Sequence, residues 1–398
     1  MHRSSRTSGF SRPFALGVAA SLLVAGALGQ VPSTRAAEAA ATPLRAYVAK
    51  KGDALQQLSR QPAAPQALSA RVTAESRSGV RRLKIRDFQY LSDSDRSFAG
   101  YSLGAGSWDT EVGVLASAVA DEFVIQAAAA KVPLDSVDVV FTSHPDDAST
   151  ERTRKVAYPR NLAYVAYLQS PASDAQLEQV RQAVERSSAV LNLIKEPQPI
   201  GHGEVVLKPS PATRDPNLPP GLRDFLVEKR QAILRRQAAA KEGERSPYAL
   251  RAHARVEPST GLREARTGDR DFQLIHDSAD GLLGYGLAPT VEEHQLGVLG
   301  TCLTHIFEIQ AATRQVVLDS LEVQVEGTLA PRAGQGVDQP PRYRDVRYTV
   351  HIESPASRQE IDGLREAVEA SCPVYNLLKD AQTVQGKVVR GPYPDKDA

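Results

Sequence analysis

The chain has 398 residues, of which 41% are hydrophobic and 24% charged, and its formal net charge is +1. This length accommodates roughly two to three domains of about 150 residues, with apolar content ample for packed cores. The near-neutral balance, without any basic run interleaved with aromatics, excludes the concentrated basic footprint of a nucleic-acid-binding protein.

In chain order, Arg3, Arg6 and Arg12 precede an apolar run from Ala15 to Leu28, with Ala37-Glu38-Ala39 as a small-residue cleavage site. This pattern predicts a signal peptide over 1–39 and a periplasmic or secreted protein; an uncleaved anchor is the alternative, disfavoured by the shortness of the run. No cysteine lies near this segment, so lipid attachment is excluded, and the absence of twin arginines favours the general export route. Residues 29–42 read as an Ala/Thr/Ser/Pro tether, and 44–61 as a helix. No later stretch reaches about 18 consecutive apolar residues. Residues 208–221 are proline-rich and read as a stiff linker, after which 222–236 repeats the opening helix. Arg270 to Ile275 alternates as a strand. Leu296, Leu299, Leu303, Ile306 and Ile309 carry helical spacing, with Cys302 beside the stripe. Strands are expected at 318–325 and 346–352, a glycine- and proline-bearing surface loop at 328–341, and an amphipathic helix at 359–370 with Ser357 as its N-cap. Pro373, next to Cys372, ends that helix.

The order of elements occurs twice. A displacement of 184 residues places Asp87-Phe88-Gln89 on Asp271-Phe272-Gln273, Gly113-Val114-Leu115 on Gly297-Val298-Leu299, and Ser170-Pro171-Ala172-Ser173 on Ser354-Pro355-Ala356-Ser357, and it also registers Ala70-Arg71-Val72 with Ala254-Arg255-Val256. The two cysteines, Cys302 and Cys372, then oppose Ala118 and Ser188. Two copies are expected, a cysteine-free one at 43–207 and a cysteine-bearing one at 222–392, in an α+β fold.

Two cysteines in an exported chain are compatible with a structural disulfide. The first copy lacks both, so a bridge is dispensable to the architecture. The alternative is a redox pair, in which one thiolate attacks a peroxide and a second thiol condenses with the sulfenic acid. His305, three residues after Cys302, is either a charged neighbour favouring the thiolate or a satisfied core histidine. No zinc pattern is present, so no metal or other cofactor is expected, and without C-x-x-C a disulfide isomerase is disfavoured.

The segment Glu292-Glu293 through Gly297-Val298-Leu299-Gly300-Thr301-Cys302-Leu303-Thr304 resembles the central helix of the OsmC/Ohr proteins. Asp319 to Gly327 resembles their following strand, and Ser354-Pro355-Ala356-Ser357 with Val368 to Asn376 resembles their second cysteine segment. The resemblance covers about 255–382, and more weakly 71–198. It implies tandem OsmC-like domains, each a strongly curved, mainly antiparallel sheet with a long central helix. It further implies thiol-dependent reduction of hydroperoxides, with a dithiol as reductant. Carried over by position, Cys302 is the attacking thiol, Cys372 the resolving thiol, and Glu292 the carboxylate that orients an arginine, although Val291 stands where the family usually has proline. The arginine is expected from the N-terminal strands, with Arg270 as the candidate beside Arg266 and Arg86. Glu292 is otherwise a first-turn residue complementing the helix dipole. Trp108 opposes it in the repeat and either fills the corresponding space or is a loop aromatic. Since the family forms intertwined dimers, the two copies are expected to pack as an intrachain pseudo-dimer, with two independent domains as the alternative. The functional alternative to a peroxidase is a non-catalytic envelope stress or binding protein with an inert or bridged cysteine pair.

Overall fold

A computed structural model describes residues 41–62, 64–146, 156–239, 249–331 and 341–394. The expected leader, nearly all of the 29–42 tether, and most of the 328–341 loop lie outside these residues. The first half runs α1 (Pro43–Leu58), β1 (Gln66–Ala74), β2 (Arg81–Ile85), β3 (Phe88–Ser92), α2 (Ser107–Ala130), β4 (Ser136–Ser143), β5 (Leu162–Gln169), α3 (Asp174–Ser187), α4 (Ala189–Lys195) and β6 (Glu204–Pro209). The second runs α5 (Leu222–Ala239), β7 (Leu250–Val256), β8 (Arg263–Thr267), β9 (Phe272–His276), α6 (Val291–Arg314), β10 (Ser320–Leu329), β11 (Tyr343–Ser354), α7 (Arg358–Ser371), α8 (Pro373–Lys379) and β12 (Val384–Arg390). Short helical turns at Arg96–Phe98 and Asp280–Leu282 precede the long helices.

Local chemistry sets these boundaries. Ser357 caps α7 and Glu360 returns the bond to its backbone, and Ser173 with Gln176 does the same for α3. Along β1 the residues Leu68, Ala70, Val72 and Ala74 point inward while their neighbours face water, the period of two expected of a half-buried strand. Helix α2 is long and apolar enough by composition to cross a membrane, but 89% of that stretch is buried in the protein, as suits a core helix.

The α+β expectation holds, with strands distributed across the halves. One six-stranded sheet has the order β3-β2-β1-β10-β11-β6 and the other β12-β5-β4-β7-β8-β9. The sheets are therefore not one per copy. They join through antiparallel pairing of β1 with β10, from Gln66↔Leu329 to Thr73↔Glu322, and of β4 with β7, from Asp138↔Arg255 to Ser143↔Leu250. The β11–β6 and β12–β5 pairs are parallel, and the remaining pairs are antiparallel. Helix α2 packs on β4, β7 and β8, helix α6 packs on β1, β2 and β10, and the two helices touch each other. Residues from Ala41 onward thus form one compact unit.

The single displacement of 184 needs correction at the N-terminal side. The β1–β2 turn is closed by Gly79 N donating to Glu75 O at 2.8 Å, and the β7–β8 turn by Gly261 N donating to Glu257 O at 2.9 Å. Those equivalents are 182 apart. The displacement becomes 184 only after β8, where four residues (268–271) replace Arg86-Asp87. Ala70 therefore corresponds to Ala252, and Arg81, at the head of β2, corresponds to Arg263, at the head of β8.

Candidate active site

Cys302 lies midway along α6, and Cys372 occupies the junction at which α7 ends and α8 begins. The thiol hydrogen bond from Cys372 Sγ to Cys302 Sγ spans 3.2 Å, and both thiols are free. A covalent S–S bond is about 2.05 Å, so a small approach would join them. Gln310 Nε2 donates to Ser371 Oγ at 3.0 Å, fixing α6 against the end of α7, and Asn376 Nδ2 donates to Cys372 O at 2.8 Å. The sulfurs are 2% and 0% exposed. Neither lines any of the three main clefts, so an element covering them must move to admit a ligand. Burial, followed by the bond to Cys302, pushes the Cys372 thiol well above its ordinary range and keeps it protonated.

A buried cation that interacts with Cys302 through its charge comes from the other half of the chain. Arg81, from β2, is 1% exposed. Its Nη1 donates to His305 Nδ1 at 3.2 Å and to Ser94 Oγ at 3.3 Å, its Nη2 to Ser92 Oγ at 3.4 Å, and Nη1 stands 3.8 Å from Glu308 Oε2. Burial lowers its pKa, and the charges of Glu308, Asp93 and Cys302 oppose that shift. Lys229 of α5 completes the group, 2.7 Å from Glu308 Oε2, with both side chains out of solvent. Desolvation pulls the Glu308 carboxyl upward, but Lys229, His305 and Arg81 outweigh it and the net shift is downward. His305 is driven down to about 3 by burial and then by Arg81 and Lys229. It is a neutral acceptor near neutral pH, which favours the core-histidine reading over the charged one.

The equivalent site around α2, the central helix without cysteine, has the same architecture with tighter bonds, its arginine coming from the other half. Arg263 donates from Nη2 to Asp277 O at 2.7 Å and from Nη1 to Gly261 O and Ser278 Oγ, both at 3.0 Å, and lies 3.3 Å from Asp121. Lys51, the counterpart of Lys229, donates to Ser278 Oγ at 2.8 Å. Two backbone carbonyls thus lock Arg263, whereas among the described residues Arg81 has only side-chain partners at 3.2 Å or more; Nε has no hydrogen-bond partner in either. Of the two, Arg81 is the arginine free to turn toward an anion. Here Ala118 and Ser188 replace sulfur, and Ser188 caps α4 by accepting from Leu191 N at 3.3 Å.

The other candidates do not converge on Cys302. Arg270 sits in the β8–β9 turn, exposed, with only a 3.5 Å contact to Ser102 O. Arg266 is tied at the surface to Glu264 and Asp271. Arg86 pairs with Glu293 at 2.8 Å. Glu292 is buried in the first turn of α6, about 15 Å along the helix axis from Cys302. The element that crosses α6 near Cys302 is the start of α2, where Ser107 Oγ donates to Thr301 Oγ1 at 3.3 Å. Trp108 belongs to that turn and packs on the core rather than sitting in a loop. Arg81, Lys229 and Glu308 were not among the sequence candidates. The signal for Arg81 was the repeated Glu-x-x-(Ser/Thr)-Gly turn, Glu75–Gly79 and Glu257–Gly261, followed two residues later by arginine in both halves.

Among the described residues, no group of three or more metal-ligating side chains occurs. Residues 284–387 match the family model described as OsmC-like protein. No curated protein matches the chain. Among solved structures, an OsmC-like protein from Mycoplasma pneumoniae is similar at 20% identity, with 35% of this chain and 94% of that one covered and a TM-score of 0.28. An organic hydroperoxide resistance protein OsmC from Legionella pneumophila is similar at 18%, with 36% and 98% covered and a TM-score of 0.28. A putative osmotic stress induced and detoxification response protein from Psychrobacter arcticus is similar at 15%, with 33% and 88% covered and a TM-score of 0.26.

Proposed function

We propose that this chain is a thiol-dependent peroxidase acting on organic hydroperoxides, with Cys302 as the attacking thiol, Cys372 as the resolving thiol, and Arg81 as the cation that favours the Cys302 thiolate. The observation that carries this reading is the 3.2 Å approach of two free thiols, with a buried, loosely held arginine bonded to His305, one helical turn after Cys302. The Cys302 thiolate attacks the terminal oxygen of ROOH, so that an S–O bond forms and the O–O bond breaks. The alkoxide leaves and takes a proton from water. The Cys372 thiol then attacks the sulfenic sulfur, the S–S bond forms, and hydroxide departs with the thiol proton as water. A dithiol restores both thiols by exchange.

The two halves act together in this reading. The chain is a tandem duplication packed as an intrachain pseudo-dimer: the cysteine-free half completes the site by lending Arg81, and its strand β1 pairs with β10. The arrangement of residues 1–39 supports export, in which case the reductant must be delivered outside the cytoplasm.

The test is thiol titration of the reduced protein, followed by cumene hydroperoxide and a dithiol donor. Loss of two thiols per chain and peroxide consumption abolished by Cys302→Ser support the proposal. The burial of both sulfurs favours a second reading, a non-catalytic envelope stress or binding protein. Unreacted thiols, or equal rates after Cys302→Ser, would establish that reading instead.

A further inference from the structure

Two clefts lie side by side along the exposed flank of α5, outside the turn Arg96–Phe98. One, of about 590 Å³, is lined by Ala99, Tyr101, Val227 and a single carboxylate, Glu228, among others; the second, of about 420 Å³, is lined by Arg96, Ser97, Ala232, Arg235, Arg236 and Ala239. Arg96 and Arg235 line both, so the clefts form one groove. Its apolar end is exposed, with Tyr101 at 53% and Val227 at 63%. Tyr101 is held outward because its backbone N–H, with that of Leu103, donates to the Asp93 carboxylate at 2.9 and 3.1 Å. At the other end, Arg236 donates to Ser97 Oγ at 2.6 Å and lies over the Phe98 ring at 4.6 Å, which fixes its guanidinium in place. Arg96 and Arg235 have no carboxylate partner among the described residues, and no acidic side chain lines the second cleft. Three guanidinium groups around one recess repel each other unless an anion sits among them.

The repeat supplies the comparison. The equivalent cleft, beside α1, is lined by Lys50, Asp280 and Tyr285. The displacement of 184 sets Asp280 where Arg96 stands and keeps Tyr285 in the place of Tyr101, and between the opening helices, where 178 sets Leu222 on Leu44 and Lys229 on Lys51, Gln57 and Leu58 stand where Arg235 and Arg236 stand. Both grooves therefore keep the outward tyrosine, and only the groove beside α5 has the cluster of positive charge.

We propose that this groove binds a single-chain anionic amphiphile, a long-chain carboxylate, with its head among Arg96, Arg235 and Arg236 and its hydrocarbon chain along Ala99, Tyr101 and Val227. Each cleft falls within the roughly 300–1,000 Å³ typical of small-molecule sites, and guanidinium matches carboxylate geometry. A recess between a turn and a helix takes one chain rather than the flat face of a bilayer. The inference is independent of the thiol chemistry, so its test uses binding to the full chain and no activity.

The experiment is a calorimetric titration of the full chain with palmitate below its micelle concentration. The parallel arms use hexadecanol, inorganic phosphate, and dioleoyl-phosphatidylglycerol vesicles. Saturable palmitate binding at one site is expected, with hexadecanol and phosphate each weaker by about tenfold or more, a difference of about 1.4 kcal/mol. The triple variant Arg96→Gln, Arg235→Gln, Arg236→Gln should lose about tenfold or more, while Cys302→Ser binds as the parent does. These arginines are exposed, so the triple variant should keep the parent circular dichroism spectrum and thermal midpoint; Asp280→Asn is a control in the other groove and should not change binding. Absence of palmitate binding, equal binding by the folded triple variant, phosphate binding as tight as palmitate, or binding to vesicles but not to the monomeric lipid would each overturn the proposal.

Discussion

Replacing Arg81 and Arg263 in turn by methionine separates a catalytic role from a structural one, because the two arginines occupy equivalent places with unequal bonds. Arg263→Met removes bonds of 2.7–3.0 Å to two backbone carbonyls and Ser278, and takes from Asp121 the nearer of its two buried cations, 3.3 Å away against 3.8 Å for Lys51. Breaking such a buried pair costs about 3–5 kcal/mol. Arg81→Met removes no bond shorter than 3.2 Å, and Glu308 keeps Lys229 at 2.7 Å. Its expected cost is about 1–3 kcal/mol. The order should reverse for chemistry. Without Arg81, the rate of Cys302 oxidation by cumene hydroperoxide in a single turnover should fall on the order of a hundredfold, as when one preorganised charge partner is lost; Arg263→Met, where folded, should react near the parent rate. Urea unfolding gives the first quantity and stopped-flow thiol loss the second. An unchanged rate in Arg81→Met, or an equal fall in folded Arg263→Met, would refute the assignment.

Glu111 meets Gln295, its equivalent in the repeat, where α2 and α6 touch, and accepts from its amide at 2.9 and 3.1 Å. Burial raises the Glu111 carboxyl from 4.5 to about 7. Since the folded state holds the proton more tightly, this contribution is complete below about pH 4.5 and is lost as pH rises through 7, by about 2–4 kcal/mol; urea unfolding at pH 5 and pH 8 should show the slope, and Glu111→Gln should remove it. His294 is lowered to about 4 by burial, so its contribution is present above about pH 6.5 and is lost as pH falls through 4; acid unfolding of His294→Gln should begin at lower pH than the parent. Gly79 and Gly261 have φ of +61° and +72°, and a Cβ at either would stand 1.9 Å from the Phe225 ring or 2.2 Å from the Tyr47 ring. Alanine at either should lower stability by about 1–3 kcal/mol in thermal or urea unfolding. Residues 222–394 expressed alone would leave unpaired the β7 and β10 edges that β4 and β1 cover, so light scattering should find a dimer or larger assembly and no stable monomer.

The legible parts of the fold were those with local signals. Strands β10 and β11 alternate cleanly, and Ser357 announces α7. The start of α6 was read five residues late because Glu292, Glu293, His294 and Gln295 are polar and yet buried, which breaks the apolar periodicity. The two-residue error in aligning β1 with β7 was invisible for a physical reason: a strand displaced by two keeps every side chain on its original face. That error also concealed the equivalence of Arg81 and Arg263. A buried arginine at an inward strand position reads in sequence as an outward one, and the carboxylate it faces, Glu308, lies 227 positions away. The cysteines could be read because sulfur in one copy and its absence in the other is a contrast within the chain. Pairing of β1 with β10 carries no local mark.

The central claim is that Cys302 and Cys372 form one redox unit. Its most direct measurement is mass spectrometry of the reduced chain after one equivalent of cumene hydroperoxide. A loss of 2 Da per chain and a peptide linking Cys302 to Cys372 are predicted, with Cys372→Ser stopping at a sulfenic acid trapped on Cys302. An unmodified chain, or oxidation at Cys372 with Cys302 still reduced, would contradict the account.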